Sequence, residues 1–353
     1  MRCSRCSSCS ACPACGGSPT RRSASATPDP SSSPRGGSIP EVADTWVLAN
    51  PNAGSAEAAD ELRHAAEARG WRWVACEDAS DGAGQAREAC ERGIARVFAA
   101  GGDGTVHTIA GGLLEGGGGP VLGVLPLGTG NDLARSLGLG VEPLAALEEL
   151  EQGRTRRIDV GRFTSDEAVR WLINVSAWGF AGEVDQVIEE ETKRNWGTLA
   201  YVGGALEVLG DLPLYDVQLF VGGALVEQAR CVGVTLANAR TCGGGVVVAP
   251  TADLEDGLLD VTLVTEGSPL QLATTAARLR GGQTLSDPRV RHHLGAEIEL
   301  RVDPPMLANV DGELLGRFSQ ARFEVRRGAL AVLVGGEYRR EPGDDFSGWT
   351  SQA

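Results

Sequence analysis

The chain has 353 residues, a formal charge of −15, and 42% hydrophobic against 22% charged residues. That length exceeds what one hydrophobic core usually serves and points to two domains. The acidic surface argues against non-specific binding to nucleic acid and against tight general adhesion to anionic bilayers. No apolar run approaches the roughly 18 residues of a spanning helix, so no transmembrane segment is expected and membrane contact should be peripheral.

Residues 1–45 read as a disordered tail rich in Cys, Ser and Pro. Five of the nine cysteines stand at Cys3, Cys6, Cys9, Cys12 and Cys15. A metal-binding knuckle, acylation or a transit peptide are the sharper readings, but the cysteines lack the His or second separated pair of a structural zinc site, and a disordered tail or an overlong gene start stands ahead of them. Cys76, Cys90, Cys231 and Cys242 are scattered without paired spacing, as suits a reducing, cytoplasmic compartment.

Folded sequence is expected from Trp46. The buried-strand run Trp46 to Ala49 ends in Asn50-Pro51-Asn52-Ala53-Gly54-Ser55, and Ser55 suits the cap of a helix over 56–69. A second strand follows at 71–76. A third, 96–100, runs into Gly101-Gly102-Asp103-Gly104-Thr105 and a helix over 106–114. A fourth, 121–125, runs into Pro126-Leu127-Gly128-Thr129-Gly130-Asn131-Asp132 and a short helix over 133–137.

Any one of these loops reads equally well as a tight turn, but three at strand ends suggest one nucleotide crevice. Glycine lets main-chain N–H groups approach a polyphosphate, and a following helix start turns its positive end toward it. Asp103 inside such a loop would repel phosphate unless a cation offsets it, and magnesium carried with ATP supplies one.

After a helix over 143–152 the texture becomes β-rich. Strands are expected at 158–163, 170–175, 216–221, 224–228, 231–236, 246–249, 258–264, 296–302, 321–325 and 330–334, with Gly222-Gly223 as a hairpin turn. The fold class is α/β plus β, an α/β nucleotide lobe joined to a β-sandwich. Arg278, Arg280, Arg289, Arg291, His292 and His293 form a basic concentration, read either as a face for lipid phosphates or as solvated charge.

The segments Gly101–Thr105 and Pro126–Arg135 resemble the diacylglycerol kinase catalytic family, which includes bacterial lipid kinases and the sphingosine and ceramide kinases. Matching blocks extend from Asn50 to Glu313. Two departures stand out: Ala53 where the family loop has Ser, and His107-Thr108 where the glycine motif usually continues with Asn-Glu. Ser55 is a candidate replacement for the missing hydroxyl.

The resemblance implies a phosphofructokinase-like lobe over 46–157, a β-sandwich lipid-substrate lobe over 158–320, strands over 321–341 returning to the first lobe, and a disordered tail over 342–353. It implies ATP and Mg2+ as cofactors, with nucleotide contacts from Asn50 to Gly54, Gly101 to Thr105, Gly128, Thr129, Asn131 and Asp132. A carboxylate is the usual acceptor of the hydroxyl proton. In Asn309-Val310-Asp311-Gly312-Glu313 strand alternation would aim Asp311 and Glu313 to one side, and by resemblance Glu313 is the base; the plainer reading is an Asp-Gly hairpin with both carboxylates in solvent.

Asp159 in the Ile158-Asp159-Val160-Gly161 strand is either the orienting group of a catalytic network or an exposed strand residue. By resemblance, Asp253, Asp256 and Leu258 supply a structural magnesium site through the Asp256 side chain and the main-chain oxygens of Asp253 and Leu258. The implied activity is transfer of the ATP γ-phosphate to a lipid hydroxyl, with diacylglycerol first. Sphingoid, ceramide or phosphatidylglycerol kinases, a soluble-substrate kinase of the NAD kinase type, and an inactive nucleotide-binding regulator are the alternatives. The expected partners are ATP and a membrane lipid reached peripherally, with a homodimer as the candidate assembly.

Overall fold

The computed structural model describes residues 44–179, 212–280 and 283–339. The expectations for the Cys-rich tail before residue 44 and for the C-terminal tail lie outside them.

In the first lobe, β1 (Thr45–Ala49), β2 (Arg72–Ala75), β3 (Arg96–Gly101) and β4 (Val121–Pro126) form a parallel sheet in the order β4-β3-β1-β2. Every residue of β1 and β3 is buried, as expected where helices cover both faces. The helices are α1 (Ala56–Ala68), α2 (Ala79–Glu91), α3 (Asp103–Glu115), α4 (Asp132–Ser136) and α5 (Pro143–Glu151). Ser55 caps α1 by accepting from Ala58 N at 3.2 Å.

Sequence reasoning passed over α2. Its inward residues are Gly82, Ala86 and Ala89, so it carries no stripe of large apolar side chains. Small residues serve close helix packing: a Cβ on Gly112 of α3 would stand 2.5 Å from Ala83 O of α2.

The second lobe contains β5 (Arg154–Thr164), β6 (Val169–Leu172), β7 (Val175–Gly179), β8 (Tyr215–Val221), β9 (Ala224–Ala237), β10 (Thr241–Cys242), β11 (Val246–Val247), β12 (Leu259–Thr265), α6 (Pro269–Arg280), β13 (Val290–Gly295), β14 (Glu297–Val310) and β15 (Glu313–Val334). Several expected short strands merge, since 224–228 and 231–236 are one strand, as are 321–325 and 330–334. The expected strand over 170–175 instead divides at Ile173-Asn174, where main-chain amides turn toward Asp311. Helix α6 and strand β13 were not anticipated; Thr274 and Thr275 inside α6 hydrogen-bond back to Leu270 O and Gln271 O, residues that weaken a helical pattern.

One long strand joins the lobes. β15 pairs antiparallel with β14 and with β5, and its end lies parallel to β4 at Val332 and Leu122. The expected boundaries at 157/158 and 320/321 fall inside β5 and β15, because the chain crosses between lobes within strands.

Each lobe has its own core. In the first, Trp71 stacks on Phe98 with centroids 4.8 Å apart. In the second, Phe163, Trp178, Phe318 and Phe323 pack together, with Phe163 at 5.6 Å from Phe318 and 5.4 Å from Phe323. Phe163 is fully buried and packs against Trp178, Phe318 and Phe323, so Phe163→Ala should lower stability by about 3–5 kcal/mol. Chemical denaturation monitored by Trp fluorescence is the check, and a loss under about 1 kcal/mol would contradict this packing.

Candidate active site

The carboxyl ends of β1, β3 and β4 bring their three loops side by side. Main-chain bonds from Asn50 N to Ala100 O and from Leu127 N to Gly101 O, both 3.0 Å, align them. Asn50 donates from its amide to Thr105 Oγ1 at 3.2 Å and accepts from Asn52 N at 2.9 Å. Glycine is required where the loops touch, since a Cβ on Gly128 would stand 2.5 Å from the Gly102 Cα. Gly102 also starts α3 without a side-chain cap, leaving the first amides of α3 for another acceptor.

The polar side chains of these loops mostly hold the loops themselves. Asn131, at φ 52°, bonds both Gly128 N and Gly128 O. Asp103 Oδ1 accepts from Asp132 N at 2.8 Å. Burial, and then the charge of Asp132, push the Asp103 carboxyl above its usual range, while the amides around Asp132 pull the other way. Asp132 Oδ2 and Oδ1 accept from Gly244 N at 3.0 Å and Gly245 N at 2.7 Å, and Asp132 O accepts from the Thr241 hydroxyl.

Asn131 thus shapes the loop from within, and Asp132 fastens it to the second lobe. Pro51, Asn52, Gly54 and Thr129 remain exposed. Ala53 packs against the first core, and the Ser55 hydroxyl accepts the α1 cap bond.

The Asp311-Gly312 turn approaches from the second lobe. Asp311 and Gly312 both have positive φ, 49° and 88°, the geometry of a tight two-residue hairpin turn. Strand alternation therefore stops, and the two carboxylates part instead of sharing a side. Asp311 is only 4% exposed. Its Oδ2 accepts from Ile173 N at 2.7 Å and its Oδ1 from Asn174 N and Val175 N, each at 2.8 Å. His107 Nδ1 lies 2.8 Å from Asp311 Oδ2.

Glu313 instead stands near the surface, paired through both oxygens to Arg170 at 3.0 and 3.1 Å. Neither Arg170 nor the His107 contact was anticipated. His107 carried a signal only as a departure from the family motif, and Arg170 carried none.

Asp159 is buried and accepts from Gly257 N and Gly328 N, each at 2.6 Å. It pins the acidic turn to a bend in β15, so it is neither an exposed strand residue nor in contact with the groups around the phosphate loops. Burial raises its carboxyl despite those two amides.

In the acidic turn, Asp253 Oδ1 accepts from Glu255 N and Asp256 Oδ1 from Leu258 N. Burial raises the Asp256 carboxyl, and the charges of Asp253, Asp260 and Asp159 raise it further. A hard divalent ion would relieve that repulsion, and carboxylate plus carbonyl oxygens are the donors it prefers. Among the described residues no three metal-binding side chains converge, so an ion here depends on the main-chain oxygens of Asp253 and Leu258.

The basic concentration is not a free cationic face. Arg278 pairs with Asp287, His292 with Asp260 and His293 with Glu227, and Arg291 donates to Pro288 O. The cause is the pairing of β13 with β12, which sets His292 and His293 opposite Thr262 and Val261 and beside acids. The Arg280 side chain lies outside the described residues. A cavity of about 450 Å³ on the sandwich, lined by Asp216, Gln228, Arg230, Arg301 and Ser319 among others, shares no residue with the phosphate loops.

Residues 44–163 match the diacylglycerol kinase catalytic domain, and residues 174–334 match the YegS C-terminal NAD kinase beta sandwich-like domain. A protein of Pseudomonas aeruginosa named "Probable lipid kinase YegS-like" is 33% identical over 258 residues, 72% of this chain and 82% of that one. The chain belongs to the diacylglycerol kinase catalytic-domain family. A Chromohalobacter salexigens protein of the same name is 36% identical over 233 residues, covering 63% of this chain and 71% of its own.

Two crystal structures from Bacillus anthracis strain Sterne share the fold of this family member. One, of a diacylglycerol kinase, has a TM-score of 0.62 at 16% identity and covers 84% of this chain and 98% of its own. The other has a TM-score of 0.71 at 20% identity and covers 86% and 98%. No helix among the described residues is long and apolar enough to cross a membrane.

Two substitutions test the site. Gly128→Ala should push the two phosphate loops apart and lower kcat/KM for ATP roughly 10²-fold, measured by initial rates over a range of ATP concentrations; wild-type values would show that the loops do not need this contact. Asp256→Ala should remove any rise in melting temperature on adding magnesium, read by calorimetry with and without the ion. An identical response in wild type and variant would leave the acidic turn without a metal.

Proposed function

We propose that this family member, a lipid kinase, transfers the γ-phosphate of ATP to the hydroxyl of diacylglycerol, giving phosphatidic acid. The observation that carries the reading is the meeting of three glycine loops at the ends of β1, β3 and β4 with the Asp311-Gly312 turn from the sandwich, within a chain of this family.

The uncapped start of α3 offers main-chain N–H groups to the triphosphate, and Thr105 and Thr129 add hydroxyls. Magnesium, carried with ATP, would neutralise charge on the transferring group. Asp103, the first residue of α3, keeps the 127–132 loop in place and would hold that ion by its carboxylate. The lipid oxygen attacks the γ-phosphorus as the bond to the β–γ bridging oxygen breaks, and the hydroxyl proton passes to Glu313. Arg170 orients the Glu313 carboxylate until one of its oxygens turns to the acceptor. The reaction runs at the cytoplasmic membrane surface, which the protein touches peripherally.

Incubation with radiolabelled ATP, magnesium and mixed micelles of diacylglycerol, sphingosine, ceramide or phosphatidylglycerol tests the acceptor, with NAD as a soluble control. Label in phosphatidic acid is expected. Label in a different lipid would replace the acceptor, and label in the soluble control alone would overturn the lipid assignment. Glu313→Gln should lower kcat by about 10²–10⁴-fold, and Asp103→Asn by about 10²–10³-fold with the fold retained. Full activity in either variant removes the role given to that residue.

A further inference from the structure

We propose that His107 is a positioning residue for phosphoryl transfer, tying α3 to the Asp311-Gly312 turn and so setting the distance between the phosphate loop and Glu313. The proposal rests on the kinase reading above.

The argument is one of connectivity. Three amides from consecutive residues, Ile173, Asn174 and Val175, hold the Asp311 carboxylate within the second lobe. The fourth donor comes from the first lobe: His107 Nδ1 at 2.8 Å. His107 lies two residues after Thr105 of the phosphate loop, and Glu313 lies two residues after Asp311. Beside the Asp132 bonds to Gly244 and Gly245 and the β15 pairing with β4, one short route from phosphate loop to proposed base thus runs through a hydrogen bond between side chains that are 17% and 4% exposed. His107 also stands four residues after Asp103, on the same face of α3.

The charged groups facing the ring are Asp311 and Glu313 from the β14–β15 hairpin and Arg170 from β6, with Asp103 one turn back on its own helix. Burial pulls the imidazole down, but the hydrogen bond and charge of Asp311 outweigh it and the net shift is upward. With Nδ1 as the donor, the bond exists for both the neutral and the protonated ring, and it is stronger for the protonated one. Its charge-assisted part is therefore present below the raised pKa and lost as pH rises through it.

The test compares His107→Asn, which keeps a donor without a titration, with His107→Leu, which keeps bulk without a donor. For the Leu variant kcat should fall roughly 10²-fold with KM for ATP little changed. The Asn variant should stay within about 10-fold of wild type and lose the wild-type decline of kcat at alkaline pH. A Leu variant with wild-type kcat, or Asn and Leu variants equally impaired, would overturn the proposal.

Should the Leu variant fail to fold, nitrogen NMR of the wild-type ring still decides. Protonation at Nδ1 in the neutral form and a pKa above that of free histidine, both lost in Asp311→Asn, are expected; the Nε2–H tautomer or a lowered pKa would refute the tie. This readout needs no lipid. Wild-type protein that labels no lipid would instead count against the kinase reading.

Discussion

Backbone hydrogen bonding along β15 holds the molecule to a single arrangement of its lobes. The strand runs 22 residues from Glu313 to Val334, beginning at the Asp311-Gly312 turn, passing between β14 and β5, and ending beside β4. A strand hydrogen-bonded in both lobes transmits position with little slack, because sliding it by one residue would turn every side chain to the wrong face. The proposed base therefore opens the same strand that closes the nucleotide sheet.

Around that backbone connection the polar groups at the junction follow one pattern. Asp103, Asp132, Asp159 and Asp311 each accept main-chain N–H groups from another segment of the fold. Buried carboxylates in such numbers would be unfavourable in an already acidic chain unless each were provided with donors. Here the donors are amides freed at glycine turns and at the break between β6 and β7, so ligand loops and lobe contacts are built from the same bonds.

Much of the first lobe was legible in the residues. Apolar runs ending in glycine loops marked β1, β3 and β4, and Ser55 marked the start of α1, since these signals are local in the chain. Helix α2 was not legible because its packing face is made of Gly and Ala, and the β-strands of the second lobe were seen as fragments because edge and central segments of one strand carry different patterns. Asp159 illustrates a third kind of gap: a single carboxylate in a strand reads the same whether it meets water or two amides.

What the amino-acid sequence determined by itself was the family, the α/β-plus-β class and the positions of the glycine loops at the strand ends, all of which depend on short contiguous motifs. Only the tertiary structure decided which side chains meet around them. It separated Asp311 from Glu313 by a left-handed turn, drew His107 and Arg170 to those two carboxylates from distant strands and helices, and neutralised the basic run through β12 and β13. The His107 and Arg170 pairings join residues 204 and 143 positions apart, and no local propensity encodes a partner at that separation; it follows from which strands lie side by side.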